Sequence, residues 1–273
     1  MVLHGPTGAD VRTGRAQRRM QLGPARTVRD TRGVNISDLA RRILERTDDP
    51  QRPLPIVQAG HPALRRRAQD ALAPDAGAHP SLDDLRIDPA ILGQLARRMT
   101  LTMRDAPGVG LAAPQIGLPL RMTVIEDPFA AEPGEDPDDD LHERTPVPLR
   151  ALLDPVYEVI GAERVFAYEG CLSVDGWQSI VPRARRVRLR AVELDADGSV
   201  RRIDEELVGW PARIVQHETD HLDGTLCHDL GVPRSFVQAR WAARYDIHEA
   251  IDRLGLTGEI TAIPDGDVVL PAR

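Results

Sequence analysis

The run His217-Glu218-Thr219-Asp220-His221 constrains this chain more than any other. A spacing of four puts both imidazoles on one helical face, about one turn (~3.6 residues) apart. From there two ring nitrogens reach one divalent ion. Glu218 stands between the histidines, placed to take a proton from a water on that ion. The spacing therefore predicts a metal-binding helix over Leu207–Leu222, with Pro211 tolerated in its first turns and Gly224 as its stop.

Two further segments carry chemistry. Glu169-Gly170-Cys171-Leu172-Ser173 holds one of the chain's two cysteines. Gly108-Val109-Gly110-Leu111-Ala112-Ala113-Pro114-Gln115 is a glycine-rich turn that runs into small and apolar residues and ends on Gln115. A lone G-x-G is weak evidence; it counts in company with the other two.

Together the three segments resemble the peptide deformylase family, whose motifs read G-x-G-x-A-A-x-Q, E-G-C-x-S and Q-H-E-x-D-H. Every fixed position matches here, Gln216 and Asp220 included, and the order is the family's. The resemblance runs from about Leu54 to about Phe236, opening on Pro55-Ile56-Val57-Gln58-Ala59-Gly60-His61-Pro62-Ala63-Leu64-Arg65. It implies a hydrolase that removes formyl from the N-terminal methionine of nascent chains and releases formate. The implied metal ligands are Cys171, His217 and His221. Three protein ligands leave one position open, the mark of a catalytic site. Thiolate and imidazole suit Zn, Fe, Co and Ni alike; the resemblance implies one Fe(2+) per chain, with Zn, Ni or Co as substitutes.

The same resemblance implies the other roles. Glu218 is general base, then acid. The Gln115 amide and the Leu172 N–H face the oxyanion. Backbone at Val109, Gly110 and Gly170 pairs with an extended peptide as an added strand. Ile214 lines a methionine pocket with the ring face of His217, and Trp210 and Leu207 are further candidates. Arg213 stands where many relatives have an apolar residue, at the edge of that pocket. Asp220 is expected behind the ligands, with Arg183 as a partner for it or for a substrate carboxylate, and Arg185 at the surface. The implied partners are the nascent formyl-methionyl polypeptide and, transiently, the ribosome. One rival reading is a general metallopeptidase, against which speak the upstream cysteine and the Gln115 motif. The other is a non-catalytic nascent-chain-binding relative, which would have lost Glu218, Gln115 or a ligand.

Composition narrows the rest. A net charge of −7 argues against a generic polyanion binder such as a DNA-binding protein. No apolar run approaches the ~20 residues of a membrane span, and no secretory signal is evident, so a cytoplasmic location is expected. All basic residues are arginine, as codon bias in a GC-rich bacterial genome would give. Cys227 reads as a buried free thiol.

Residues 1–54 read as an N-terminal extension with little order apart from a short helix near 37–46, capped by Ser37. Met20 is a possible true start. Residues 55–254 form the catalytic domain and 255–273 a loose tail. Within the domain, helix is expected over Ala90–Arg104 and Pro233–Leu254. Strands are expected over Met122–Glu126, Leu149–Ile160 and Arg164–Tyr168. A hairpin turns at Asp195–Gly198, and Asp127–Pro148 reads as a solvated acidic loop. Strands around one long helix predict an α+β fold, and the resemblance implies mostly antiparallel sheets around a central metal-binding helix.

Overall fold

The computed structural model describes residues 35–47, 49–129, 143–232, 234–242, 249–250 and 253, and the backbone of 260–262. Helix α1 (Ile36–Leu44) leads to α2 (Pro89–Asp105), then to strands β1 (Gly110–Ala112), β2 (Met122–Asp127), β3 (Val147–Gly170), β4 (Trp177–Leu194) and β5 (Val200–Val208). Helix α3 (Trp210–Leu222) follows, then β6 (Val237–Gln238), the short α4 (Ala239–Ala242) and β7 (Ile260–Ala262). The strands form one antiparallel sheet in the order β1-β2-β3-β4-β5, with β6 on β4 and β7 on β3. Helix α3 packs against each of β1 to β5, which is the expected α+β arrangement around a central helix.

The core explains the order of elements. The apolar face of α2 (Ile91, Leu92, Leu95, Met99, Met103) is buried against Met122 and Val124 of β2 and Leu153 of β3. Both methionines serve packing, as their helical spacing predicts. Helix α1 closes this layer with Ile36, Ala40 and Ile43. Its cap is Asn35, whose Oδ1 accepts from the Ser37 and Asp38 N–H groups at 2.8 and 3.3 Å. Ser37, expected as the cap, instead turns its Oγ to the Asp88 N–H at 3.0 Å and so ties α1 to the start of α2.

Five expectations on secondary structure are corrected. The two strands expected over 149–168 are one strand, β3, with register shifts at Leu153/Val156 and Ile160/Arg164. Gly161, at φ +74, absorbs the second of these in the left-handed region that suits glycine. The metal helix begins at Trp210, not Leu207. Pairing of β5 with β4 runs on to Val208↔Arg186, and Gly209, at φ 64, then turns the chain. The helix expected from Pro233 is preceded by β6, which pairs with Trp177 and Gln178; Ala239–Ala242 is helical, and most of 243–254 lies outside the described residues. The acidic loop is anchored at its start, where Asp127 is fully buried; residues 130–142 lie outside the described residues, as do 1–34. In the C-terminal stretch Ile260–Ala262 pairs with β3, and the remainder is outside them.

Candidate metal centre

Helix α3 is held in place by its own sequence. Pro211 stands in its first turn and Gly224, at φ +81, lies just past its end. A Cβ at Gly224 would lie 2.9 Å from backbone atoms of Arg65 and Arg66, so only glycine lets the chain turn there. Gln216 docks the helix on β4 as a strand would. Its Oε1 accepts from the Ala184 N–H at 3.0 Å, and its Nε2 donates to the Ala184 carbonyl at 2.9 Å.

The fold brings Cys171, at the end of β3, to His217 and His221 on α3. One ligand atom from each lies within 4.8 Å of the others, and all three residues are buried. Cys171 Sγ is 3.3 Å from His221 Nε2. Two ligands of one ion, at ~2.3 Å for sulfur and ~2.0 Å for nitrogen, would stand ~3.5 Å apart at tetrahedral angles. His217 Nε2 is buried with no hydrogen-bond partner, while its Nδ1 lies 3.1 Å from Glu169 Oε2. That carboxylate accepts a hydrogen bond from Nδ1–H, which fixes the tautomer and leaves the Nε2 lone pair for a cation. Burial lowers the His217 pKa to about 4, so the ring is neutral as a ligand must be. Burial pushes the Cys171 thiol up to about 11 in the absence of an ion, so a cation is what would hold it as thiolate. The donor set thus fits a divalent transition metal.

Glu169 is the residue whose role the sequence leaves unassigned. It is fully buried, which works to raise its pKa, but Arg183 and Arg213 outweigh burial and hold it well below the usual carboxylate range. Arg183 grips it through Nε and Nη2, both at 2.9 Å, and reaches Asp220 Oδ2 with Nη1. Arg213 donates to Glu169 at 2.5 Å and to the Val165 carbonyl at 2.6 Å. Arg213, expected at the rim of the methionine pocket, thus has its guanidinium in this ion pair. Asp220, as expected, stands behind the ligands with Arg183, and Tyr157 donates to it at 2.9 Å. Arg185 pairs with Glu143 and Glu163 near the surface.

Opposite the ligands, the glycine-rich turn leads into β1 at the end of the strand order. Gln115 is fully buried. Its Oε1 accepts from the Ala112 N–H at 2.8 Å, and its Nε2 points to Cys171 Sγ at 3.6 Å and Ser173 Oγ at 3.4 Å. Leu172 lies in the turn after Cys171, and Gly170 pairs with Gln178. Ile214 is buried in one cluster with Val109, Ile125 and Trp210; Leu207 packs on that cluster from β5. Glu218 is buried beside both histidines, and burial raises its pKa to about 7. Cys227 is buried beside Val181 and Cys171 as a free thiol.

Gly110 faces Glu218 so closely that a Cβ would lie 2.5 Å from its Cδ and 2.6 Å from its Cγ. Gly110→Ala must therefore displace the carboxylate. With Glu218 as the general base that the motif implies, turnover is expected to fall on the order of 100-fold, as for a ~1 Å misplacement of a reacting group. Steady-state kinetics beside a circular dichroism melt checks this; unchanged kcat would show that Glu218 has room to move.

Comparison with known proteins gives the same picture. The family model described as polypeptide deformylase matches residues 53–235. Peptide deformylase 3 of Streptomyces avermitilis is 49% identical over 212 residues, covering 77% of this chain and 84% of its own length. Peptide deformylase 1 of Streptomyces coelicolor is 49% identical over 183 residues, covering 67% and 75%. Among solved structures, the Met-Ala-Ser-bound class I type b peptide deformylase of Acinetobacter baumannii superposes with a TM-score of 0.52 at 27% identity, covering 66% of this chain and 99% of that one. The match spans α2, all three motifs and the strands that carry them, so the chain belongs to the polypeptide deformylase family.

Proposed function

We propose that this protein is a metal-dependent hydrolase that removes the formyl group from the N-terminal methionine of newly made polypeptides, releasing formate. The observation that carries the reading is the convergence of three buried ligand residues, with the Gln115 amide at Cys171 and the buried Glu218 carboxylate on the helix that bears both histidines. Cys171, His217 and His221 would hold the ion, Fe(2+) in the native enzyme with Zn, Ni or Co as substitutes. When bound it supplies Lewis acidity at the formyl carbonyl and makes water a stronger acid.

The chain's own residues do the rest. Glu218 takes a proton from the attacking water and returns it to the leaving amine. A pKa near neutrality suits a group that must do both. The Gln115 Nε2–H and the Leu172 N–H donate to the oxygen that becomes negative as the formyl carbon turns tetrahedral. Val109, Gly110 and Gly170 offer backbone groups to an extended substrate, and Ile214 with the His217 ring lines the methionine pocket. Residues 55–254 are the catalytic unit, 1–54 an extension that docks through α1 and Leu54, and 255–273 a tail that pairs with β3 at Ile260–Ala262. Among the described residues no helix is long and apolar enough to cross a membrane. We place the enzyme in the cytoplasm, meeting its nascent substrate at the ribosome.

The test is formate release from a formyl-methionyl tripeptide by anaerobically purified protein, beside metal analysis. Activity that tracks iron content is expected. A protein that binds one metal per chain yet cleaves internal peptide bonds and leaves formyl-methionine intact would overturn the reading. Cys171→Ser is expected to lose most of its metal, because a serine hydroxyl stays protonated where the thiol yields an anion. Full metal occupancy in that variant would remove Cys171 from the ligand set.

A further inference from the structure

The two walls of the site come from distant parts of the chain, and a third segment joins them. The Val57 N–H donates to the Gln115 carbonyl at 2.8 Å. Two residues on, the Ala59 N–H donates to the Ser173 carbonyl at 2.7 Å. Between them, Gln58 spends both ends of its amide on the turn after Cys171. Nε2 donates to the Leu172 carbonyl at 3.0 Å, and Oε1 accepts from the Asp175 N–H at 3.2 Å.

The Leu172 carbonyl belongs to the same rigid peptide unit as the Ser173 N–H. That N–H points to Cys171 Sγ at 3.4 Å. The preceding unit, which carries the Leu172 N–H, is fixed separately by the Val174 N–H donating to the Cys171 carbonyl at 2.9 Å. A pull on the Leu172 carbonyl from outside therefore sets the rotation of the plane between Leu172 and Ser173. Gln58 is the side chain that exerts it. It is itself exposed, so it adds nothing to the core.

We propose that Gln58 is a positioning residue of this site: it sets the Leu172–Ser173 peptide plane, and through it the N–H···S bond to Cys171. The proposal rests on the deformylase reading for its kinetic consequences, though not for its spectroscopic one. Gln58→Ala removes both contacts. Gln58→Glu keeps the acceptor for Asp175 but sets a carboxylate oxygen against the Leu172 carbonyl.

The experiment measures kcat and KM on a formyl-methionyl tripeptide, metal content, melting temperature, and the sulfur-to-metal charge-transfer band of the Co(II)-loaded protein. For Gln58→Ala, kcat is expected to fall about 10-fold, the scale of a lost hydrogen bond. KM should stay within about twofold, with metal content and melting temperature unchanged and the Co(II) band shifted. Gln58→Glu should be more impaired. A Gln58→Ala protein with wild-type kcat and a wild-type band overturns the proposal. So does a loss of kcat in step with melting temperature and metal content, which marks a merely structural contact. If wild-type protein proves inactive on formyl substrates, the function reading fails, and the Co(II) band still decides the role of Gln58.

Discussion

Glu218→Gln is expected to lower kcat by about 10²–10⁴-fold, the range for loss of a general base, while the protein keeps its metal and its fold. The carboxylate neighbours both histidine ligands in sequence, yet the converging ligand group is Cys171, His217 and His221. Burial raises its pKa to about 7, so it exchanges a proton readily near neutral pH. Glutamine has the same shape, fills the same space under Gly110 and cannot accept a proton in exchange. Activity should therefore collapse with metal stoichiometry and melting temperature close to wild type. Wild-type kcat at full metal content would sink the proposed role.

Glu169→Gln should do its damage differently. It removes the negative charge shared by Arg183, Arg213 and the His217 N–H, all of them buried. Breaking a buried pair from one side commonly costs roughly 3–5 kcal/mol, because the partner charges stay desolvated. For a domain of this size that corresponds to a fall in melting temperature on the order of 10 °C. The His217 ring also loses the acceptor that fixes its tautomer, so metal affinity should drop roughly 10–100-fold. Thermal melts and chelator competition measure the two effects separately. A variant with normal stability and normal metal affinity would show that the two arginines find other partners.

The two variants mark where the sequence is readable. Spacing alone puts His217 and His221 on one helical face, and motif context brings in Cys171, Gln115 and Glu218. The Asp195–Gly198 hairpin follows from alternation and turn residues, and the antiparallel sheet from the family resemblance. The role of Glu169 is not readable, although it sits inside the E-G-C-x-S motif. Its meaning depends on arginines 14 and 44 residues away in sequence, which only the β3–β4 pairing and the docking of α3 bring together. Arg213 is misplaced by sequence for the same reason: a helical wheel shows its face of α3 but not the carboxylate waiting there. The break expected between Ile160 and Arg164 looks like a strand end because Gly161 punctuates the pattern. Pairing with β4 carries the strand across it. Strand β6 is hidden because two residues carry too little periodicity to compete with a helical run.

The brevity of β1 bears on how many different proteins this enzyme can serve. At ~3.3 Å per residue, the three residues Gly110–Ala112 offer an edge about 10 Å long. A substrate added there as a strand, as proposed above, would be held by its main-chain amides, which every sequence shares, and only over its first few positions. Residues farther along the substrate leave the edge before their side chains can be compared. On the proposed binding mode, selectivity would rest on the leading residue, and proteins that differ only beyond it would pass as one substrate.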